Sequence, residues 1–203
     1  MVFTVKSATQ KVLDLVRRTG MLRARDFDRH GITREHLRRL LRRGQVERIG
    51  TGLYALPGGA ASEHRSLAEA SKRVPQGVIC LLSALRFHKL GTQNPFEVWM
   101  AIPHKAWRPK SESPPLRIVH LTGQALKQGV EEHQIEGVPV RVFSPSKTVA
   151  DCFKFRNKIG LDVALETLRD YRRTHKEGMD DLWRFTKICR VTAVMRPYLE
   201  ALA

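Results

Sequence analysis

The chain has few cysteines, few aromatic residues and no long apolar run. Its 203 residues include three cysteines, Cys80, Cys152 and Cys189, and only 7% aromatic side chains. Because these cysteines are odd in number and far apart, they argue against a disulfide framework and a CxxC metal site, and we predict three buried thiols. No stretch of about 18 apolar residues occurs, and the first residues lack the apolar core of a signal peptide. We therefore expect a soluble, cytoplasmic protein without membrane contact.

Acidic residues are also scarce relative to basic ones. The chain has 36 Lys and Arg against 20 Asp and Glu, a net charge of +16 and a pI near 10.5. Residues 1–60 hold 13 basic and 5 acidic side chains, a net charge of +8, and the other 143 residues carry the same net charge. Positive charge is therefore more than twice as dense in the first 60 residues, which indicates a polyanionic partner.

The most informative segment, Gly31–Gly44, carries five arginines on one short predicted helix. Leu37, Leu40 and Leu41 have the spacing of a single buried stripe, Thr33 suits an N-cap and Gly44 a helix end. The arginines lie opposite the leucines in two rows: Arg34, Arg38 and Arg42, and Arg39 and Arg43. A basic helix face is usually only solvated, but an apolar back with a cationic front also suits insertion into the DNA major groove.

The neighbouring segments favour the DNA-binding interpretation. Residues 7–19 and 23–30 have helical spacing, and only Gly31-Ile32 separates the second predicted helix from the arginine helix. Residues 46–49 and 53–56 are short β-like runs on either side of Gly50-Thr51-Gly52, which indicates a hairpin. Three helices followed by a hairpin predict a winged helix-turn-helix domain over residues 1–60.

Residues 61–203 predict a second, mixed α/β domain, so that the whole chain belongs to the α+β class. We expect a modest sheet flanked by helices, with strands near residues 96–102, 117–121 and 138–143. The apolar run 78–85 predicts a core helix that ends near His88. Further helices are expected over 63–73, from 144, over 160–171 and over 180–189.

The start of the helix at residue 144 has two interpretations, a capped helix end or a phosphate site. Ser144 or Ser146 can cap this helix, and its free amides, with Lys147 nearby, suit an anion. Capping alone explains the serines, however, and the glycine-rich cradle of a P-loop is missing.

The sequence contains no recognisable catalytic or metal-binding motif. The eight histidines include no HxxxH pair, so we expect neither a metal nor a cofactor. A nucleotidyltransferase needs a Gly-Ser turn followed by a DxD pair, and that combination does not occur. Asp180 and Asp181 are adjacent on a predicted helix, so their side chains point in different directions and do not suit a metal. A nuclease site could combine Glu97, Lys105 and a distant acid, but the spacing of these residues in the sequence does not support such a site. We therefore predict that the protein is not an enzyme.

Two parts of the chain resemble one known family. The segment Leu22–Pro57, with Gly31–Arg34 and Glu47–Tyr54, strongly resembles the N-terminal winged helix of the AbiEi family of antitoxins. The second half resembles the C-terminal domain of the same family in its motifs, which are Val78–Leu85, Ser144-Pro145, Lys147–Cys152 and Arg196–Tyr198. The resemblance implies a bacterial type IV toxin-antitoxin system, in which the antitoxin represses its own operon and counteracts a nucleotidyltransferase-like toxin.

The resemblance also implies partners and site residues. The winged helix would bind inverted repeats in double-stranded promoter DNA, and residues 61–203 would neutralise the toxin, generally without a tight complex. Arg34 and Arg38 are expected to contact bases, and Arg42 and Arg43 to contact phosphates. His36 would flank the groove or be partly packed. The full set of expected DNA-binding residues is Thr33, Arg34, His36, Arg38, Arg39, Arg42, Arg43, Arg48 and Thr51.

A second interpretation remains open. The chain would then be a winged-helix transcriptional regulator whose C-terminal domain senses a ligand and which has no toxin partner. A small molecule that shifts the affinity for DNA would distinguish this interpretation from the first.

Overall fold

The computed structural model describes residues 8–50, 52–58, 62–109 and 113–201. The fold is of the predicted α+β class, with one three-stranded and one five-stranded sheet. The described residues form two compact units. The first runs to Arg73 and also includes Gln134–Pro139, and the second consists of Val74–His133 and the residues from Val140 onward.

The first unit contains helices and a small antiparallel sheet. Its elements in chain order are α1 (Ala8–Thr19), β1 (Met21–Arg23), α2 (Ala24–Arg29), α3 (Arg34–Arg42), β2 (Glu47–Gly50), β3 (Leu53–Ala55) and α4 (Arg65–Arg73). Strand β3 lies between β1 and β2 and is antiparallel to both. This arrangement is the predicted winged helix-turn-helix, in which α2 and α3 form the helix pair and β2 and β3 form the wing.

The core of this winged helix is made by apolar residues at helical spacing. Val12 and Val16 of α1, Phe27 of α2, and Leu37 and Leu40 of α3 are all buried in one cluster. Phe27 also meets the ring of Tyr54 in β3 edge to face, with the ring centroids 5.6 Å apart. The helices and the wing therefore share one core, and this core fixes the direction of α3.

The remaining elements are the strands of the five-stranded sheet and the helices around it. These elements are β4 (Val78–Ile79), α5 (Leu81–His88), β5 (Val98–Pro103), β6 (Leu116–Leu121), α6 (Gly123–Lys127), β7 (Val130–Ile135), β8 (Val138–Phe143), α7 (Pro145–Lys154), α8 (Arg156–Ile159), α9 (Leu161–Thr174), α10 (Met179–Ile188) and α11 (Thr192–Ala201). The strand order is β6-β5-β4-β8-β7. Strand β4 is antiparallel to β5 and parallel to β8, and β5 is parallel to β6.

Helix α7 lies in the core of the second unit and is buried from Ser146 to Phe153. Its N-cap is Ser144, whose hydroxyl accepts a hydrogen bond from the Lys147 amide. The burial includes a charged pair, since Lys147 and Asp151 contact each other at i, i+4 and are almost fully removed from solvent. Loss of either partner of such a buried pair lowers the stability of the fold, because the remaining charge is left in the core without a partner.

The three cysteines are free and buried, as predicted. Cys189 donates a hydrogen bond to Asp151 through a 3.3 Å contact of its sulfur with Oδ1. Burial, followed by the nearby charge of Asp151, raises the pKa of the Cys189 thiol to about 12. Burial also raises the pKa values of Cys80 and Cys152, so all three thiols stay protonated at neutral pH.

One predicted element is wrong and several short ones were not predicted. The run Val78–Leu85 is not one core helix, because Val78 and Ile79 form β4 in the middle of the sheet and the helix starts after Cys80. A continuous apolar run satisfies both a buried strand and a buried helix, so its periodicity does not separate them. The elements missed by the sequence analysis are β1, α6, β7, α8 and α11.

The first turn of α2 gives a testable prediction about the stability of the winged helix. The backbone amide of Arg23 donates to Oδ2 of Asp26 at 2.9 Å, and the Arg23 guanidinium lies 3.4 Å from the same oxygen. Burial raises the pKa of Asp26, but these hydrogen bonds and the charge of Arg23 outweigh it, so that the pKa lies below its ordinary value. We expect Asp26→Asn to lower the free energy of unfolding of the first unit by about 1 kcal/mol at neutral pH.

The measurement is urea unfolding followed by far-UV circular dichroism. The advantage of the wild-type chain is complete above the ordinary carboxyl pKa of 3.8 and disappears as the pH falls through the lower pKa of the folded state. Asp28→Asn is the matched control, because Asp28 is exposed on the same helix. The three tryptophans, Trp99, Trp107 and Trp183, lie in the second unit, so a change confined to tryptophan fluorescence would contradict the prediction.

Candidate nucleic-acid interface

Local sequence determines where α3 begins and ends. The hydroxyl of Thr33 accepts a hydrogen bond from the His36 amide at 3.2 Å, which caps the first turn. At the other end, Gly44 has a φ of 63°, and the Gln45 amide donates to the Leu40 carbonyl at 3.0 Å. This is the Schellman arrangement, which needs a left-handed residue after the helix. Both boundaries agree with those predicted.

The two faces of α3 differ in character. Leu37 and Leu40 are buried in the core of the first unit, and Leu41 is partly buried against it. The opposite face is exposed and cationic, and its arginines are Arg34, Arg38, Arg39, Arg42 and Arg43. None of these five arginines forms an ion pair with a residue that the structure describes. The guanidinium groups of this arginine face therefore have unused donors that face solvent.

His36 lies at the edge of the arginine face and is half-buried. One of its ring nitrogens, Nε2, is 3.4 Å from the hydroxyl of Thr9 in α1, and the other, Nδ1, is 2.9 Å from a guanidinium nitrogen of Arg39. The imidazole thus connects α1 to one arginine of α3. The sequence left two possibilities for His36, a side chain that flanks the groove or one that is partly packed, and in the structure the side chain is partly packed.

The wing places a further arginine near its turn. Arg48 of β2 is exposed, and its Nε donates to the carbonyl of Gly50 at 3.2 Å. The pairing of β2 with β3 shifts between Arg48 and Gly50, which introduces a bulge at the start of the turn. Gly52 has a φ of 68°, as a tight turn requires. Thr51, the other expected wing residue, lies outside the described residues.

Helix α2 carries exposed cations that the sequence analysis did not select. Arg25 and Arg29 lie four residues apart on the solvent side of α2 and are both exposed. In helix-turn-helix proteins the helix before the recognition helix crosses the phosphate backbone. The i, i+4 spacing of these two arginines is visible in the sequence and could have indicated a shared exposed face. It was missed because so short a helix shows only a weak period.

Other predicted features do not form a site. Lys147 is fully buried against Asp151, and its ammonium lies 4.2 Å from the centre of the Phe143 ring, so it does not face an anion at the start of α7. Of the two alternatives for this segment, the structure favours helix capping, because Ser144 caps α7 and Lys147 is buried in the core. No group of three or more His, Cys, Asp or Glu in the described part of the chain is placed to hold a metal.

Comparison with known families agrees with this geometry. Residues 10–57 match the model of a family described as a transcriptional regulator, AbiEi antitoxin. The resemblance found in the sequence is therefore confirmed for the N-terminal region, from α1 to the end of the wing. The AbiEi family model covers α3 and the whole arginine face. No curated protein matches the chain at a significant level.

A solved structure is similar to the chain over nearly its full length. The RV2827C protein from Mycobacterium tuberculosis superposes with a TM-score of 0.56 and 14% sequence identity, over 95% of this chain and 72% of that chain. At this identity the likeness shows a shared fold. Within the described ranges, no helix is both long and apolar enough to cross a membrane.

The apolar back of α3 gives a second testable prediction. Leu40→Ala removes a side chain that is 1% exposed, and we expect it to lower the free energy of unfolding of the first unit by about 2 to 4 kcal/mol. Leu41→Ala is the matched control at the next position, where the side chain is only partly buried, and its cost should be about 1 kcal/mol. Urea unfolding of both variants is the measurement. A cost for Leu40→Ala no larger than that for Leu41→Ala, about 1 kcal/mol, would mean that α3 is not held by this face.

Proposed function

We propose that this protein is an antitoxin that represses its own operon by binding promoter DNA through α3 and the wing. The observation that carries the proposal is the coincidence of the AbiEi family match over residues 10–57 with an exposed row of arginines on α3. An α-helix fits the major groove of B-DNA, and arginine makes bidentate contacts with guanine. The expected location is the cytoplasm, where promoter DNA is accessible.

Position on α3 suggests different roles for its arginines. The N-terminal part of a recognition helix contacts base edges, so we assign Arg34 and Arg38 to base contacts. Arg42 and Arg43 lie at the other end and are assigned to the phosphates at the groove wall, together with Arg25 and Arg29 of α2. Thr33 caps the helix and presents its first turn to the groove. Arg48 and Thr51 would approach the backbone from the wing.

His36 has an indirect role in this proposal. Because its ring contacts both Thr9 and Arg39, we assign it to positioning Arg39 at the edge of the interface. Arg39 would then reach a phosphate. This role differs from a direct base contact, since the imidazole already uses both nitrogens inside the protein.

The second part of the proposal concerns the toxin. We infer that residues 61–203 counteract a nucleotidyltransferase-like toxin from the same operon by a route that needs no stable complex. The resemblance of Val78–Leu85 and Lys147–Cys152 to the C-terminal domain of AbiEi antitoxins supports this assignment.

The proposed base contacts are tested by fluorescence anisotropy with DNA from upstream of the gene. We expect Arg34→Ala/Arg38→Ala to weaken binding to this DNA by about 1 to 3 kcal/mol for each base contact that is removed, and to weaken binding to unrelated DNA much less. Arg17→Ala/Arg18→Ala is the matched control, because it removes the same charge from exposed positions on α1. Equal losses of affinity for the two double variants would indicate that only net charge matters, which would contradict the proposal.

The proposed phosphate contacts are tested in a salt series. We expect Arg42→Ala/Arg43→Ala to weaken binding to all DNA alike, and to reduce the slope of log K against log salt by roughly 1 for each phosphate that the variant no longer neutralises. A variant with an unchanged slope but lower specificity for the upstream DNA would reverse the assignment of these two arginines.

The antitoxin role is tested in cells that express the toxin of the same operon. Both the wild-type chain and Arg34→Ala/Arg38→Ala should restore growth, because protection is assigned to residues 61–203 and not to DNA binding. Immunoblots check that the wild-type chain and the variant are present at equal levels. Loss of protection by the variant at equal protein level would show that antitoxicity depends on α3.

A further inference from the structure

A cationic pocket lies in the second unit. It has a volume of about 530 Å³, and its walls come from the start of α6 and from the C-terminal ends of α7 and α10. Three cations line it, Lys154, Lys187 and Arg190, and no carboxylate is among its described lining residues. A volume of this size is within the range of small-molecule sites.

The three cations have no partners inside the described part of the protein. All three side chains are exposed, and none forms an ion pair or a side-chain hydrogen bond with a described residue. This contrasts with other cations of the same unit, since Arg117, Arg173 and Arg184 each lie within 3.5 Å of a carboxylate oxygen. The pocket therefore keeps three unused positive charges around one concave surface.

Helix dipoles explain only part of this charge. Lys154 is in the last turn of α7 and Lys187 in the last turn of α10, where cations are favoured by the negative end of the helix. Each helix end supplies about half a negative charge, so two ends offset roughly one of the three positive charges. A net charge of about two remains for an external anion.

Arg190 occupies a position that normally suits glycine. Its φ is 58°, in the left-handed region, directly after the C-cap of α10. A non-glycine residue in this conformation is strained, because its Cβ lies too close to the following carbonyl oxygen. The chain thus tolerates backbone strain at the residue that brings the third cation to the pocket.

Other groups around the pocket suit a ligand that is both charged and partly apolar. The side chain of Thr122 makes no capping hydrogen bond to α6, so its hydroxyl is available for a ligand. Ala125 and Ile188 add apolar surface next to the cations. A compact pocket lined by three cations fits a small ligand better than an extended backbone, which needs cations along a groove.

We propose that this pocket binds a small anion with two or three phosphates, held by Lys154, Lys187 and Arg190. Lysine and arginine are the usual partners of phosphate oxygens, and two or three phosphates match the number of cations. The proposal goes beyond DNA binding and does not depend on it. It gives the ligand-sensing alternative a specific place in the fold.

The test is isothermal titration calorimetry on the full chain, free of DNA, in about 100 mM monovalent salt, where distant surface charges are screened. The probes are inorganic tripolyphosphate and ATP without magnesium. We expect saturable binding of at least one of them, with one site per chain. Binding of both shows that phosphates suffice, and binding of ATP alone shows that the organic part contributes. No saturable binding of either would overturn the proposal.

The variant Lys187→Gln/Arg190→Gly tests the location. Glycine suits the φ of residue 190, so this variant should remain folded, and we expect its affinity for the probe to fall at least about tenfold. The matched control is Lys105→Gln/Lys89→Gly, because Lys89 has a φ of 57° at the C-cap of α5. The control should change the affinity less than about twofold.

Two results would overturn the assignment of the ligand. One is an equal loss of binding in the control or in Arg34→Ala/Arg38→Ala, which would assign the probe to net charge or to α3. The other is a pocket variant that binds the probe normally but binds DNA more weakly, which would make the pocket a nucleic-acid contact.

Discussion

The burial of Leu37 and Leu40 is the interaction on which the candidate interface depends. A short helix has little stability of its own, so α3 keeps its place mainly because its apolar stripe packs against α1 and α2. That packing turns the opposite face to solvent, with its five arginines. The hydrophobic contacts of Leu37 and Leu40 offset the mutual repulsion of these arginines. The Thr33 cap and the Gly44 turn set the length of α3.

The small sheet completes the same core. Strand β1 pairs with β3, and Tyr54 of β3 meets Phe27 of α2, so the wing is attached to the helix pair by backbone hydrogen bonds and by aromatic packing. Both surfaces proposed to meet DNA therefore belong to one packed body. In the second unit the charges are arranged differently, since Lys147 is buried with Asp151 while Lys154, Lys187 and Arg190 surround an open pocket.

The sequence predicted the parts of this fold that carry strong periodicity or capping signals. The boundaries of α3 followed from its leucine spacing, Thr33 and Gly44, and the hairpin followed from Gly50 and Gly52. Strand β1 was missed because three residues are too few to show a period, and it forms only through its pairing with β3. The environment of Lys147 was missed because tertiary packing, rather than local pattern, brings it into the core. The pocket was missed because its cations come from separate helices.

The most direct test of whether the arginine face of α3 binds DNA is hydrogen–deuterium exchange of the full chain with and without DNA from upstream of its gene. Amides that contact DNA, or that belong to an element held by it, exchange more slowly in the complex. We expect protection to be concentrated in residues 33–43 and in the wing, and unrelated DNA to give much less of it. Unchanged exchange in α3, with protection in the second unit instead, would contradict the assignment of the arginine face to DNA.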